Sequence, residues 1–588
     1  MSTQPWGLSR TSSLFKKIDN MLRSFSASGR AFFYFFSTLL IVSSLGLVYI
    51  LNNSLLVATP ALGGTLREGV VGVPRFINPV LAISDADHDL TSLTYSGLVK
   101  ATPSGTYIND LAESYTISPD GRVYTFIIKK NATFQDGVPV TADDIVFTIL
   151  KTQNPSLKSP VRANWNRIIV EKVDARTVTF TLRQAYAPFI ENVSLGILPK
   201  HLWDKVSDDE FSFSALNTIP VGAGPYRAES VTRTSSGIPN RYILTAYPKY
   251  VLGTPFISKL DFYFYANEDD RIDALKKGEV EAVGGVSPTR TSELSGLQIE
   301  HAPLNRVFAV FFNQNQNEAL RDTTARQALS DAVDREALVH DILGGFGREL
   351  VGPLPPGLLA HTGEQAQPTP LTKDLVVSAK NELIRAGWTP GQDGILQKTI
   401  GSGKTAKVVP LTFTITTGNV PELRAAAAYL RQTWGDMGAQ VTVQVFDQGD
   451  LTQNVIRPRK YDALLFGEVV GREPDLFAFW HSSERLDPGL NVALYTNSVV
   501  DKLLEQLRIT QDEDARTLLY SQFTDAIKKD VPAAFLYAPD FVYIVPKDIK
   551  GLELGFIETP SDRFLSITGW HRQTDFVWPI FSRTRSQM

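Results

Sequence analysis

The stretch Leu465 to His481, LFGEVVGREPDLFAFWH, holds the densest mixture of side chains able to bind or act on a solute. Glu468, Arg472, Glu473 and Asp475 are interleaved with Phe477, Phe479 and Trp480, and His481 closes the run. It follows the apolar run Tyr461 to Phe466, which reads as a short buried strand, and loops at strand C-termini of α/β lobes are where ligands bind. The chemistry on offer is recognition: carboxylates for a cation, a guanidinium for an anion, and aromatic faces for apolar groups. The competing assignment makes the aromatics lobe core and the charges a solvated rim.

Other chemical motifs are weaker. Gly401-Ser402-Gly403-Lys404-Thr405 resembles half of a phosphate loop. The glycine needed five positions before Gly403 is Lys398, and no long helix follows, so a polar hairpin tip is expected. Asp85, Asp87 and Asp89 have the odd spacing of a calcium loop. Leu90 and Ser96 stand where its glycine and glutamate should be, which favours a helix start with acidic caps. The seven histidines form no pair at zinc spacing, and there is no Gly-x-Ser-x-Gly elbow. Asn131-Ala132-Thr133 matches a glycosylation sequon. No nucleophile, base or metal constellation predicts turnover, so no cofactor and no metal are expected, and the chain reads as a non-enzyme.

Composition sets the frame for those residues. The chain has 588 residues, 43% hydrophobic and 20% charged, too many for one core, so two or three lobes are expected. A net charge of −4 gives no footprint for nucleic acid. Cysteine is absent, which excludes disulfides, thiolate metal sites and a lipidated-cysteine tether.

Ala31 to Leu51 contains no charged residue and, as a helix, spans ~30 Å, the thickness of a bilayer's hydrocarbon core. Arg10, Lys16, Lys17, Arg23 and Arg30 precede it, opposed by Asp19, which predicts a cytoplasmic N-terminus and an extracytoplasmic body (periplasm or cell surface). A cleaved signal peptide would carry a shorter apolar run and a small-residue site, so a retained single-pass anchor is expected. Residues 52–62 read as a spacer, and Arg583 to Met588 as a loose end.

The body alternates strand and helix signals. Ser118-Pro119-Asp120-Gly121 predicts a turn before the strand Val123 to Ile128, and Thr141 to Asp144 caps a helix through Leu150. Thr177 to Leu182 reads as another strand. Asp334 reads as the N-cap of a helix closed by Gly344-Gly345. A strand from Val408 to Thr416, a helix from Pro421 to Met437 and a strand from Val441 to Val445 make a β-α-β unit with a parallel pair. Two late helices, Val499 to Ile509 and Asp514 to Lys529, precede a β-rich return from Ala533 to Val545.

Several of these segments, in order, carry a family likeness: Gly63 to Ile149, Pro220-Val221-Gly222-Ala223-Gly224-Pro225-Tyr226, Asp331 to Leu338, Ala379 to Trp388 and Val531-Pro532-Ala533. Together they resemble bacterial extracellular solute-binding proteins of family 5, the receptors of peptide and nickel ABC importers. The resemblance implies an α/β, periplasmic-binding-protein-like fold with two lobes (type II, large peptide-binding class) and an inserted β-rich subdomain. Lobe I is expected over 63–88, 202–306 and 538–575, the insert over 89–201, lobe II over 307–537, and a tail over 576–588. Hinge positions are expected at Pro303, Arg306, Leu536 and Asp540. The implied function is binding of a peptide or other small solute in the interlobe cleft, by a monomer, for delivery to an ABC permease. A ligand sensor on the same fold is the alternative, and an extracytoplasmic hydrolase a more remote one.

The candidate ligand contacts are Phe76, Asn78, Asn313, Glu468, Arg472, Glu473, Asp475, Trp480 and His481. Oligopeptide-binding relatives place an aspartate four residues before a proline in this loop. Ungapped alignment on Pro474 puts Val470 there, so Glu468 or Glu473 would have to serve a peptide's ammonium, whereas Arg472 would favour an anionic group.

Overall fold

The computed structural model describes residues 17, 19–294, 296–356 and 374–580. Arg10 and Lys16 of the basic flank, and the terminal run Arg583 to Met588, lie outside the described residues. The chain divides into two compact units, residues 1–61 with 573–588, and residues 62–572.

In the first unit the apolar run is one helix, Ala27–Leu55, longer at both ends than the expected span. Ser26 caps it by accepting from the Gly29 amide, and none of its residues is buried. It is long and apolar enough to cross a membrane. The expected spacer is largely ordered: the helix runs through Leu55, and Val57–Ala61 is a strand paired antiparallel with Gln573–Val577. Pro60 is tolerated there because edge strands can do without an amide donor. Gln573 to Asp575, the last residues of the expected lobe I return, pair with Ala61 to Thr59.

The second unit is organised around a sheet whose long strand, Ala533–Val545, spans 13 residues. Its first half pairs with Arg306–Phe312, from Phe311 opposite Ala533 to Phe308 opposite Tyr537. Its second half pairs with Gln298–Pro303, from Pro303 opposite Asp540 to Gln298 opposite Val545. Apolar residues at nearly every position suit a strand covered on both faces. On one side the sheet continues through Ala463–Val469, Thr412–Gly418 and Gln440–Phe446. On the other it continues through Ala282–Gly284, Thr65–Val71, Lys259–Tyr265, Pro239–Ala246 and Tyr226–Arg233.

The β-α-β unit forms, with Thr412–Gly418 parallel to Gln440–Phe446, but the expected strand Val408 to Thr416 is split, its first part lying in Lys407–Pro410 and pairing with Leu396–Ile400. Its helix, Pro421–Met437, buries Leu423, Ala427, Leu430, Trp434 and Met437, the stripe that a 3.6-residue period requires. Proline at its first turn needs no amide partner, and Gly438, at φ +113°, ends it where an L side chain would be strained. Asp334 caps Arg335–Leu343 by accepting from the Ala337 amide.

A separate four-stranded antiparallel sheet is built from Ala112–Ile117, Val123–Ile128, Thr177–Thr181 and Ile169–Lys172. Tyr124, Phe126, Trp165, Phe180 and Phe189 fill its own core. Gly403–Thr405 makes a single turn between the paired strands Leu396–Ile400 and Lys407–Pro410, a hairpin tip rather than a phosphate loop. The three aspartates start the helix Asp85–Thr94, with Ser84 and Asp87 forming a capping box.

Candidate functional site

The strand Ala463–Val469 runs antiparallel to Arg306–Phe312, which sets Glu468 opposite Val307 and Val469 opposite Arg306. The chain then leaves the sheet, held by the Val470 amide donating to Asn305 O (3.0 Å). The next residues reach across to segments far away in sequence. Arg472, its side chain 5% exposed, pairs with Asp562 (2.5 Å) and donates to Phe556 O (3.3 Å). The Glu473 amide donates to Glu191 (2.7 Å), while the Glu473 carboxylate pairs with Arg516 (2.9 Å). Asp475 takes both forks of Arg508 (2.9 and 2.6 Å) and accepts from Tyr186 Oη (3.3 Å). Arg508 also lies over the Phe477 ring, 3.6 Å from its centroid.

Glu468 is treated differently. It is 4% exposed and neither carboxylate oxygen has a hydrogen-bond partner. Burial pushes its pKa well above the usual carboxylate range, since an anion here would lose its hydration uncompensated. Trp480 is fully buried among Phe311, Phe523 and Phe535, with Nε1 unpartnered. His481 stacks on Phe477 at 3.9 Å, and its Nδ1 bonds Ser483 (2.8 Å).

The remaining expected residues are dispersed. Phe76 is half-buried against the core beneath Arg75, with its amide donating to Asp87 (2.8 Å). Asn78 is wholly buried, donating to Asn217 (2.9 Å) and accepting from the Val80 amide (2.9 Å). Asn313 is also buried, bonding Arg459 O (3.1 Å) and the Asn315 amide (3.1 Å). It follows the Phe312 end of its strand, whereas the loop leaves at the Arg306 end, so the structure does not bring it to the loop. Of the hinge positions, Pro303 lies opposite Asp540, Asp540 meets His301 Nδ1 (2.7 Å), and the Leu536 carbonyl accepts from the Leu350 amide (3.1 Å).

Partners of the loop that sequence reasoning missed are Glu191, Tyr186, Arg508, Arg516 and Asp562. No local signal marks them, because each acts only once the loop has folded against it. A cavity of about 380 Å³ adjoins them, with Tyr95, Asp110, Glu191, Tyr250, Arg472 and Glu558 in its wall. Neither Asp110 Oδ1 nor the Tyr95 and Tyr250 hydroxyls close a hydrogen bond of ordinary geometry. Burial, reinforced by the charge on Glu473, pushes Glu191 up to about 7, although the Glu473 amide bond pulls it down. Burial and then the Glu191 charge push Glu558 up to about 8. A larger cavity of about 500 Å³ lies beside Arg335, whose guanidinium is spent on the Leu350 and Phe535 carbonyls (3.0 and 2.8 Å). The loop's cavity combines unfilled polar capacity with an excess of carboxylates, which suits holding a polar solute. Among the described residues, no group of three or more His, Cys, Asp or Glu side chains is placed to hold a metal ion.

Comparison with known proteins adds independent findings. The family described as bacterial extracellular solute-binding proteins, family 5 Middle, matches residues 106–485. The oligopeptide-binding protein AppA of Bacillus subtilis is 28% identical over 504 residues, covering 84% of this chain and 89% of AppA. Protein XP55 of Streptomyces lividans is 29% identical, covering 82% and 85%. Among solved structures, AppA in complex with a nonapeptide superposes with a TM-score of 0.64 at 26% identity, covering 87% of this chain and 99% of that one. NikZ of Campylobacter jejuni in complex with Ni(L-His) does so with a TM-score of 0.65 at 27% identity, covering 86% and 99%. The fold is thus the α/β, two-lobed type II binding-protein fold that the sequence motifs predicted.

Proposed function

The chain belongs to the bacterial extracellular solute-binding proteins of family 5, and from that premise we propose that it captures a peptide or related small solute between two lobes and delivers it to an ABC permease. The proposed lobes meet where Pro303 to Arg306 and the middle of the long strand, Leu536 to Asp540, pass from one half of the sheet to the other. Lobe I then comprises 63–88, 202–306 and 538–575, lobe II comprises 307–537, and 89–201 is the insert. The helix Ala27–Leu55 tethers a monomeric body outside the cytoplasm, with the N-terminus inside. No chemistry on the solute is required; the work is differential affinity for the closed arrangement.

The observation that carries this reading is the loop after Val469. Its Arg472, Glu473 and Asp475 engage Asp562, Glu191 and Tyr186, which fall in lobe I and its insert by the proposed division. A loop on one lobe that bonds the other beside a polar cavity is the arrangement a closing trap requires. AppA and NikZ, solved in complex with a nonapeptide and with Ni(L-His), support a peptide or a small amino-acid complex as the class.

The loop's Glu473 and Asp475 already hold arginines, which leaves Glu468, on the strand before the loop, as the unpaired carboxyl for a solute's ammonium group. Native mass spectrometry of the full chain purified from its own host tests the function. A co-purifying peptide or small amino-acid complex supports the reading. A preparation that carries none, and that binds none from a library of such compounds, overturns it.

A further inference from the structure

The pairing of Val57–Ala61 with Gln573–Val577 has a consequence for the end of the chain. It carries residues 578–580 back to the Leu55 end of the long helix. Trp578 lines one shallow groove with Leu45, Val48, Leu51 and Leu55 of that helix. The neighbouring apolar side chains have no cover: Phe576 is 67% exposed, Ile580 74%, Trp578 43% and Val57 44%. In sequence the run Phe576-Val577-Trp578-Pro579-Ile580-Phe581 is followed by Arg583 and Arg585.

An exposed apolar cluster of this kind in a water-facing domain marks a surface that something covers. Here the cluster continues directly from a helix with no buried residue and with the length of a membrane span. Tryptophan beside aliphatic groups, with arginines following, is the composition that settles at the boundary of headgroups and acyl chains. We propose that Phe576, Trp578 and Ile580 form a second membrane contact, inserting into the interfacial layer of the bilayer beside the Leu55 end of the span. This rests on the tether reading above and extends it: the span and residues 576–580 both meet the lipid, and the paired strands staple one to the other. The occupant is lipid rather than a protein, because the cluster is continuous with the lipid-facing helix.

The absence of cysteine makes the test clean, since single introduced thiols can be labelled in the full chain. Three variants, Ile580→Cys, Leu51→Cys and Ser236→Cys, are labelled with an environment-sensitive fluorophore in phosphatidylcholine–phosphatidylglycerol vesicles. All three positions are exposed, so substitution leaves the packing in place. Quenching by lipids spin-labelled near the headgroup is compared with quenching by aqueous iodide. The proposal expects Ile580 to follow Leu51, quenched by lipid and several-fold less by iodide than Ser236. An Ile580 label that follows Ser236 while Leu51 is lipid-quenched overturns it and leaves the tether intact. An Ile580 label shielded from both quenchers assigns the cluster to a protein partner or second copy, and also overturns it. A Leu51 label that no lipid quenches removes the tether and the proposal together.

Discussion

Arg563 and Glu468 are both buried ionisable residues, and their surroundings lead to opposite expectations. Arg563 is 2% exposed and meets Asp89 through both guanidinium nitrogens (2.7 and 2.6 Å) and Glu68 (3.1 Å). Tyr543 Oη donates to Glu68 in turn (2.8 Å). Removing the arginine strands two carboxylates in the interior. Arg563→Met should therefore cost about 3–5 kcal/mol of stability, read by chemical denaturation of the full chain. A loss below about 1 kcal/mol, the level of a surface ion pair, would show that the network is solvated.

Glu468 has no such partner, and burial pushes its carboxyl well above the usual carboxylate range, which favours the neutral form. If it receives a solute's ammonium, truncation in Glu468→Ala should cost about 2–5 kcal/mol of affinity for the co-purified ligand by calorimetry. Binding should also release a proton, so the apparent enthalpy should vary with the ionisation enthalpy of the buffer. Unchanged affinity would confine Glu468 to a structural role beside Val307. Sequence alone ranked it beside Glu473 and Asp475, because which carboxylates have found arginines is decided by helix residues 33 and 43 positions downstream. Asn78 and Asn313 likewise looked available, and only the fold spends their amides on neighbouring backbone and side-chain groups.

At the scale of elements, the loop from Val470 to His481 and its opposing surfaces, which the proposed closure would use as a latch, carry a charge imbalance. Glu191, Glu473, Glu558 and Asp562 face Arg472 and Arg516, with Tyr107 alongside and the Asp475–Arg508 pair next to it. Two carboxylates exceed the arginines, and Glu191 and Glu558 are the two pushed up, to about 7 and about 8 from an ordinary 4.5. An acid with a higher pKa in the closed arrangement makes closure take up a proton. Closure is then fully favoured below about pH 4.5, weakens as pH rises towards 7 and 8, and levels off above. Each proton taken up changes the closed-to-open ratio by about tenfold per pH unit within that window.

Spin labels at Glu171→Cys and Asp436→Cys, on the proposed insert and the proposed lobe II, should report fewer short distances at pH 8.5 than at pH 5.5. Adding Glu191→Gln and Glu558→Gln should abolish that difference and keep the short distance at pH 8.5. A distribution that ignores pH in the parent chain would contradict the latch. Local elements were the most legible part of the sequence. The β-α-β unit, the caps at Asp334 and Thr141, and the hairpin tip at Gly403 follow from spacing and turn chemistry local to each segment. The latch was not legible, because Glu191 and Glu473 lie 282 residues apart and neither stands in a local motif.

For the whole molecule, ordered family motifs conveyed the two-lobed plan, while the pairing of the two ends escaped it. Gln573–Val577 is a short run whose strand character depends on Val57–Ala61, and nothing within either segment announces the other. The long strand Ala533–Val545 is bonded to both halves of the sheet, which suits the proposed rotation of the lobes about it. The hinge should therefore sit at Pro303 to Arg306 and at Leu536 to Asp540, and the body should close about it when solute enters. The most direct measurement is the distance between the labels at Glu171→Cys and Asp436→Cys in the full chain in lipid nanodiscs, at fixed pH, with and without a solute whose binding calorimetry has established. A shorter and narrower distance distribution on binding is the predicted result; an unchanged distribution at saturating solute would contradict capture by closure.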